Sequence, residues 1–176
     1  MPNSQIVFII KLQVGIIFCF IFQTKYDGER MLAHRNSKNQ FKFYSRNMKE
    51  FTSDFGADGS ARDKFSYHLN KAIAANVQSI ILDGEICPFN KITQSLTQKG
   101  QQEDIRHLKD DHPVYQQCLY IYDILYLNGK VLTDLPMVQR IEKIREAVPK
   151  DFEGKYNSEQ NIRYGLQFLV KIYLLQ

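Results

Sequence analysis

A lysine stands where an apolar run of the chain gives way to a polar turn, and its amine is a candidate nucleophile. Residues 22–31 read FQTKYDGERM, with Lys25 just before the turn signal Asp27-Gly28. A free lysine amine has a pKa of about 10.4 and is protonated at neutral pH. Partial burial and neighbouring cations would lower that pKa and release the amine for attack. The cationic residues available for this are Arg30, Arg46 and Lys99.

Two further side chains supply what a nucleotide reaction needs besides a nucleophile. Glu85 ends an apolar segment, and carboxylate oxygens suit a hard cation such as Mg²⁺. Tyr122 lies in a second apolar segment, and its ring can stack on a flat base. The cationic residues can also hold a polyphosphate. Together these residue types fit nucleotidyl transfer, in which the lysine attacks an α-phosphate, pyrophosphate leaves and a phosphoramide forms.

Each of these residues also has an ordinary structural interpretation. Lys25 can simply flank a hairpin turn, and Glu85 can be a solvated strand end. Arg46 can pair with Asp54 on the surface, which is the commoner kind of ion pair. Tyr122 can belong to the core, the usual place of an aromatic residue in an apolar strand. The histidines show no metal-ligand spacing and are interpreted as surface or core residues.

The elements that would position these residues follow from hydrophobic periodicity. The predicted strands are 22–25, 30–34, 40–44, 78–86 and 118–127, with turns at 27–28 and 128–129. The predicted helices are 61–76 and 136–147. Asp134 is expected to cap the second helix and Pro136 to open it. Because strands and helices do not alternate strictly, we predict an α+β fold with antiparallel sheets flanked by helices.

The composition is that of an ordinary globular domain. The 176 residues are 44% apolar and 24% charged, and the net charge of +4 is compatible with a phosphate-rich partner. The cysteines at 19, 87 and 118 are few and widely spaced, which argues against a disulfide framework or a zinc site. Residues 1–21 form an atypical apolar segment. The uninterrupted apolar stretch 14–22 is too short to span a bilayer, and secretory targeting remains a minor alternative.

Five motifs follow one another in a fixed order along the chain. They are Lys-x-Asp-Gly-x-Arg at 25–30, Ser-Arg-Asn at 45–47, Leu-Asp-Gly-Glu at 82–85, Gln-Lys-Gly at 98–100, and an aromatic-Asp step followed by Leu-Asn-Gly between 122 and 129. In type and order they resemble the ATP-dependent DNA ligases, most closely the eukaryotic DNA ligase IV type that seals double-strand breaks. The resemblance implies the nucleotidyltransferase (adenylation) fold, with ATP and Mg²⁺ as cofactors.

The resemblance also implies a role for each residue that matches a motif. Lys25 would be the adenylated lysine. Arg30 would hold the ribose, and Arg46 the phosphate side of the nucleotide. Glu85 would contact the ribose and a catalytic Mg²⁺. Tyr122 would stack on adenine, where close relatives commonly have Phe, and a tyrosine preserves the ring.

The remaining implied contacts surround the nucleotide. Thr24 and Tyr26 would line the adenine pocket through their backbone, and Lys99 would approach the nucleotide. Gln23 stands where the family usually has Glu. Its carbonyl can still accept a hydrogen bond from the adenine amino group, but the negative charge is lost.

The domain organisation implied by the resemblance is incomplete. It covers a partial adenylation domain, 22–149, followed by a divergent tail, 150–176. The family's later Glu-Gly-x-Met-x-Lys strand and a strand with two lysines do not occur in this sequence. We therefore expect a fragment with weak or no activity alone. The family implies nicked or broken double-stranded DNA as substrate and a nuclear location. It also implies no membrane association, and a coiled-coil repair scaffold bound by domains absent from this sequence.

Two other functions stay open. The mRNA capping guanylyltransferases share Lys-x-Asp-Gly-x-Arg, although the Ser-Arg-Asn and Leu-Asp-Gly-Glu contexts argue against them, and GTP in place of ATP would separate the two enzymes. The other possibility is a non-catalytic remnant that binds nucleotide or a partner, which the missing lysine motifs favour.

Overall fold

A curved sheet with a few short helices makes up the described part of the chain. The computed structural model describes residues 26–96, 104–109, 111–149 and 162–164, the last for the backbone only. The strands are β1 (Glu29–Arg35), β2 (Phe41–Tyr44), β3 (Ile80–Asn90), β4 (Ser95–Leu96), β5 (Tyr115–Leu127), β6 (Lys130–Val131) and β7 (Ile162–Tyr164). The helices are α1 (Thr52–Phe55), α2 (Phe65–Ala72) and α3 (Met137–Ala147), with a 3₁₀ turn at Ile105–His107.

Within these ranges the strands form one seven-stranded sheet. The order is β2-β1-β3-β5-β6, with β4 paired to β3, and all of these neighbours are antiparallel. The long strands β3 and β5 form the centre of the sheet. The predicted α+β fold with antiparallel pairing is confirmed. The exception is β7, from the predicted divergent tail, which pairs with β5 in parallel.

The sheet is apolar on one face, and period-two alternation decides which residues point there. In β1, Met31 and Ala33 are buried, whereas Arg30 points to the opposite face. The buried face packs against the helices through a phenylalanine cluster, whose members are Phe41, Phe43, Phe51, Phe55 and Phe65. We call the opposite face, which carries Arg30 and Glu85, the site face.

The predicted Asn128-Gly129 turn is confirmed. Both residues have positive φ, 46° and 87°, as a tight two-residue hairpin turn requires. The Asn128 side chain adds a tie to the start of β3, because its Oδ1 accepts hydrogen bonds from the amides of Gln78 and Ser79 at 2.7 and 3.1 Å. These bonds hold the end of β5 against the start of β3.

Two predictions about the helices were wrong. The helix predicted over 61–76 is formed only as α2, and Ile73 already has extended backbone. The Ala74 amide donates to the Ala147 carbonyl at 2.8 Å, so packing against the end of α3 replaces the last helical turn. Asp134 does not cap α3: its N-cap residue is Pro136, and no side chain caps the helix.

The two central strands are longer than predicted. β3 continues past residue 86 because Cys87 to Asn90 pair with Tyr115 to Cys118, which in turn extends β5 toward its start. The extra strand residues are stabilised by pairing with the other strand, which the periodicity of either segment alone does not indicate. The predicted strand 22–25 lies outside the described residues.

Candidate functional site

Five of the nine predicted site residues belong to the described part of the chain. These are Tyr26, Arg30, Arg46, Glu85 and Tyr122. The other four, Gln23, Thr24, Lys25 and Lys99, lie outside the described residues.

The pairing of β1 with β3 places Arg30 directly opposite Glu85 on the site face. The chain just before β1 approaches the same carboxylate, since the Gly28 amide donates to Glu85 Oε1 at 3.3 Å. A Cβ on Gly28 would lie closer than 3.0 Å to the Ile86 carbonyl oxygen and to Cys87 Sγ. Only glycine therefore allows the turn to lie this close to β3.

Asp83 is the residue of this site that sequence reasoning missed. Its carboxylate is buried, with the residue 3% exposed, and it accepts hydrogen bonds from Arg30 Nε at 3.0 Å and from Nη2 at 2.5 Å. This two-point contact fixes the plane of the guanidinium, and it raises the pKa of Arg30 further above its usual range. A signal was present in the sequence: Asp83 lies two residues before Glu85 in a strand, and therefore on the same face.

Tyr122 reaches the site through an irregularity in β5. Asp83 is opposite Asp123 while Gly84 is opposite Ile121, so Tyr122 is an extra residue in the ladder. Bulges of this kind re-aim a side chain. Burial is the main cause of a raised Tyr122 pKa, followed by the negative charge of the neighbouring Asp83 carboxylate. The charges of Arg30 and Glu85 also act on this hydroxyl. Arg30, Glu85 and Tyr122 are thus brought together around Asp83.

Arg46 is not part of this group. It is exposed in the turn that follows β2, where the Ser45 carbonyl accepts a hydrogen bond from the Met48 amide at 3.0 Å. In the described part of the chain it forms no ion pair with Asp54, so the surface pairing that the sequence left open is not observed.

A second apolar cluster continues the site face beyond Glu85. We call it the tyrosine cluster; its members are Tyr26, Cys87, Phe89, Leu96, Cys118 and Tyr120. The rings of Tyr26 and Tyr120 are stacked, with centroids 4.0 Å apart and planes 25° apart. Tyr26, a predicted nucleotide contact through its backbone, therefore has its side chain engaged in packing.

The two cysteines of the tyrosine cluster are opposite each other in the β3–β5 ladder, and both are buried thiols. Burial raises the pKa of the Cys87 thiol, and the nearby Cys118, Glu85 and Asp27 add to the effect. A thiol that stays protonated is a poor nucleophile and a poor metal ligand. Both side chains pack inside the tyrosine cluster.

A cleft of about 730 Å³ opens at the other end of β1, away from the residues just described. It is lined by the β1–β2 turn and by Tyr126, and none of Arg30, Asp83, Glu85 and Tyr122 contributes to it. Its lining combines the buried apolar residues Phe41 and Ile80 with charged and polar side chains of the turn. The predicted site residues and this cleft therefore lie at opposite ends of β1.

The candidate site thus combines a buried acid, a fixed guanidinium, a carboxylate and an aromatic ring. A known protein family matches most of the same sequence. Residues 13–166 match the family described as ATP dependent DNA ligase domain. This chain belongs to the ATP-dependent DNA ligases. The match extends beyond both ends of the predicted range 22–149.

Individual ligases align with the same region. Human DNA ligase 4 is 35% identical over 123 residues, which are 70% of this chain and 13% of the human protein. DNA ligase 4 of Candida albicans is 34% identical over 160 residues, which are 80% of this chain and 16% of that protein. The chain thus spans 13–16% of the length of these relatives. The ligase domain of M. tuberculosis LigD, at 16% identity, superposes on 69% of this chain and 34% of its own with a TM-score of 0.50, and shares its fold.

In this ligase chain the aromatic-Asp motif divides into two roles. Tyr122 faces the site, whereas Asp123 binds Arg140 of α3, with Nε at 2.7 Å from Oδ1 and Nη2 at 3.0 Å from Oδ2. Both side chains are mostly buried, and the contact raises the pKa of Arg140. Asp123 therefore attaches α3 to the strand that presents Tyr122.

The described part of the candidate site offers one carboxylate that could hold a magnesium ion. No three His, Cys, Asp or Glu side chains of the described residues converge as a metal cluster. Mg²⁺ usually binds one or two protein carboxylates, and substrate phosphates and water complete its shell. Glu85 is suited to that role, because Asp83 is engaged by Arg30. No helix in the described ranges is long and apolar enough to cross a membrane.

Proposed function

We propose that this chain carries the nucleotide site at which Lys25 is adenylated. Lys25 Nζ attacks the α-phosphate of ATP, the bond from that phosphorus to the bridging oxygen of the β-phosphate breaks, and pyrophosphate leaves. The amine loses a proton to solvent, and a lysyl-AMP phosphoramide remains. The observation that carries the proposal is the fixed geometry of Arg30 on the buried Asp83, opposite Glu85 and beside Tyr122.

The described residues supply binding and orientation in this reaction. Asp83 holds the guanidinium of Arg30 in one plane. Arg30 can therefore donate its remaining N–H groups to the ribose with little loss of side-chain conformational entropy on binding. The Tyr122 ring provides a stacking surface for adenine. When bound at Glu85, Mg²⁺ neutralises charge that develops on the phosphates.

Four further assignments rest on the family resemblance. Gln23 and Thr24 contact the adenine, Lys99 approaches the phosphates, and Arg46 binds the phosphate side. The exposed position of Arg46 on a turn is compatible with contact to a nucleotide from outside the sheet.

The wider role that we propose is repair of broken double-stranded DNA by end joining in the nucleus. The similarity to DNA ligase 4 of two organisms supports it. From the resemblance to the DNA ligase IV type, we also propose a coiled-coil repair scaffold as partner of the full-length protein. For the isolated chain we propose weak Mg²⁺-dependent ATP binding and slow adenylation. The later lysine motifs are missing from its sequence, and loss of a single charge-stabilising donor typically costs about 10²–10³ in rate.

The test is covalent labelling of the isolated chain with α-labelled ATP and Mg²⁺, followed by a denaturing gel. We expect a faint label that grows over hours and is absent from Lys25→Ala and from the charge-matched Lys25→Arg. A label that persists in both variants would refute Lys25 as the nucleophile. A strong, rapid label would show that the missing motifs are dispensable.

Two further arms of the same experiment separate the alternatives. A chain labelled by GTP rather than ATP would be a guanylyltransferase. A chain that retains ATP in equilibrium dialysis but never becomes labelled would be a non-catalytic nucleotide-binding protein.

A further inference from the structure

Tyr26 is the first described residue and directly follows the predicted nucleophile, Lys25, in the chain. Its ring stacks on Tyr120 in the tyrosine cluster. We propose that Tyr120 is a positioning residue: by stacking on Tyr26 it fixes the backbone that presents Lys25 to the α-phosphate of ATP. This inference rests on the proposed adenylation of Lys25. It adds a residue that matches none of the five sequence motifs.

The stack is built as a rigid unit. Tyr120 is 5% exposed, and beneath the two rings lie Cys87, Phe89 and Cys118, none more than 1% exposed. Rings 4.0 Å apart and nearly parallel are in full van der Waals contact. Tyr26 cannot leave this position without exposing the apolar surface below it.

Tyr26 follows Lys25 directly in the chain, so its anchor acts on the peptide that joins the two residues. A second restraint acts two residues later, where Gly28 lies against Ile86 and donates to Glu85. These two contacts restrain the backbone of residues 26–28, and the proposed positioning of Lys25 acts through its peptide bond to Tyr26. Holding a nucleophile in the attack geometry can contribute several orders of magnitude in rate.

The position of Tyr120 also separates it from direct nucleotide binding. Although it is opposite Glu85 in the β3–β5 ladder, only 5% of Tyr120 is exposed. One face of its ring is covered by Tyr26. Loss of the Tyr120 ring should therefore slow the chemical step and leave ATP affinity nearly unchanged.

The experiment compares Tyr120→Leu and Tyr26→Leu with Tyr120→Phe in the full chain. Leucine keeps apolar volume but removes the stack, and phenylalanine keeps the ring. The matched control is Tyr115→Leu at the start of the same strand, which removes a looser stack with His112, with ring centroids 5.5 Å apart and planes 25° apart. Equilibrium dialysis gives the dissociation constant of ATP with Mg²⁺. Single-turnover labelling at saturating ATP gives the adenylation rate, and hydrogen exchange reports on the amides of residues 26–30.

We expect both stack-removing variants to lose about 10- to 100-fold in adenylation rate, with ATP affinity within about twofold of the parent. Amide exchange over residues 26–30 should accelerate in them and not in the control. Tyr120→Phe should restore the parent rate. The double variant should be no slower than either single one, because the two rings act as one unit.

Three results would overturn the positioning role. They are an unchanged rate in Tyr120→Leu, an equal loss of rate and ATP affinity, or unchanged exchange over residues 26–30. If the parent chain binds ATP but is never labelled, the adenylation proposal fails by itself, and the exchange measurement still decides whether the stack anchors the segment. If Tyr120→Leu does not fold, Tyr26→Leu decides instead, because Tyr26 lies at the edge of the cluster.

Discussion

Arg30 and Asp83 form a two-point ion pair on the site face, although 53 positions separate them in the chain. The partners differ in environment: the Asp83 side chain is 5% exposed and that of Arg30 is 42% exposed. The carboxylate depends on this partner for compensation of its buried charge, whereas the guanidinium is still accessible to a ligand. The pair thus serves both the fold and the nucleotide.

The first prediction is that Arg30→Ala destabilises the protein by about 1–3 kcal/mol, because it removes the fork of donors from a buried carboxylate. Urea denaturation followed by circular dichroism measures the change. The control is Lys42→Ala, which breaks an exposed ion pair with Glu50 and should cost no more than about 0.5 kcal/mol. Equal losses in the two variants would mean that Asp83 does not depend on Arg30.

The second prediction concerns Tyr122. Tyr122→Ala should weaken ATP binding by about 1–3 kcal/mol, the range for base–aromatic stacking. Tyr122→Phe should leave ATP binding almost unchanged, since the ring remains, and removal of the hydroxyl beside the Asp83 carboxylate should change stability by less than about 1.5 kcal/mol. Equilibrium dialysis and urea denaturation measure the two effects. A similar loss of ATP affinity in both variants would contradict the stacking role.

The third prediction is that Gly28→Ala abolishes detectable ATP binding by displacing the turn from β3. The added Cβ would collide with the Ile86 carbonyl, and a backbone atom in a central strand cannot move aside. Cys87→Ala in the same chain should not restore binding, because the collision with the backbone remains. Recovery in the double variant would show that the thiol was the only obstacle.

The fourth prediction separates Asp123 from Tyr122. Arg140→Met keeps an apolar stem but leaves the mostly buried Asp123 carboxylate without its partner, and should cost about 3 kcal/mol of stability. At temperatures where the variant is folded, its ATP affinity should match that of the parent. A selective loss of ATP affinity without destabilisation would place the Asp123–Arg140 pair in the nucleotide site instead.

The sequence by itself determined the family, and its motifs supplied the candidate site residues. Each motif that contains Lys25, Arg30 or Glu85 is a local property, since motifs are short and strands alternate with period two. The same holds for the Asn128-Gly129 turn, where only a few residue types accept positive φ at both positions. Short-range steric and chemical constraints of this kind are visible without a partner strand.

Tertiary structure alone decided how these residues meet. The role of Asp83 depends on the register between β1 and β3, and the position of Tyr122 on an extra residue in β5. The stack of Tyr26 on Tyr120 joins residues 94 positions apart. A slip of one residue in either ladder would turn these side chains to the other face. The early end of α2 has the same origin, because a hydrogen bond to the end of α3 replaces a helical turn. Register and bulges come from pairing between distant segments, and local sequence patterns do not encode them.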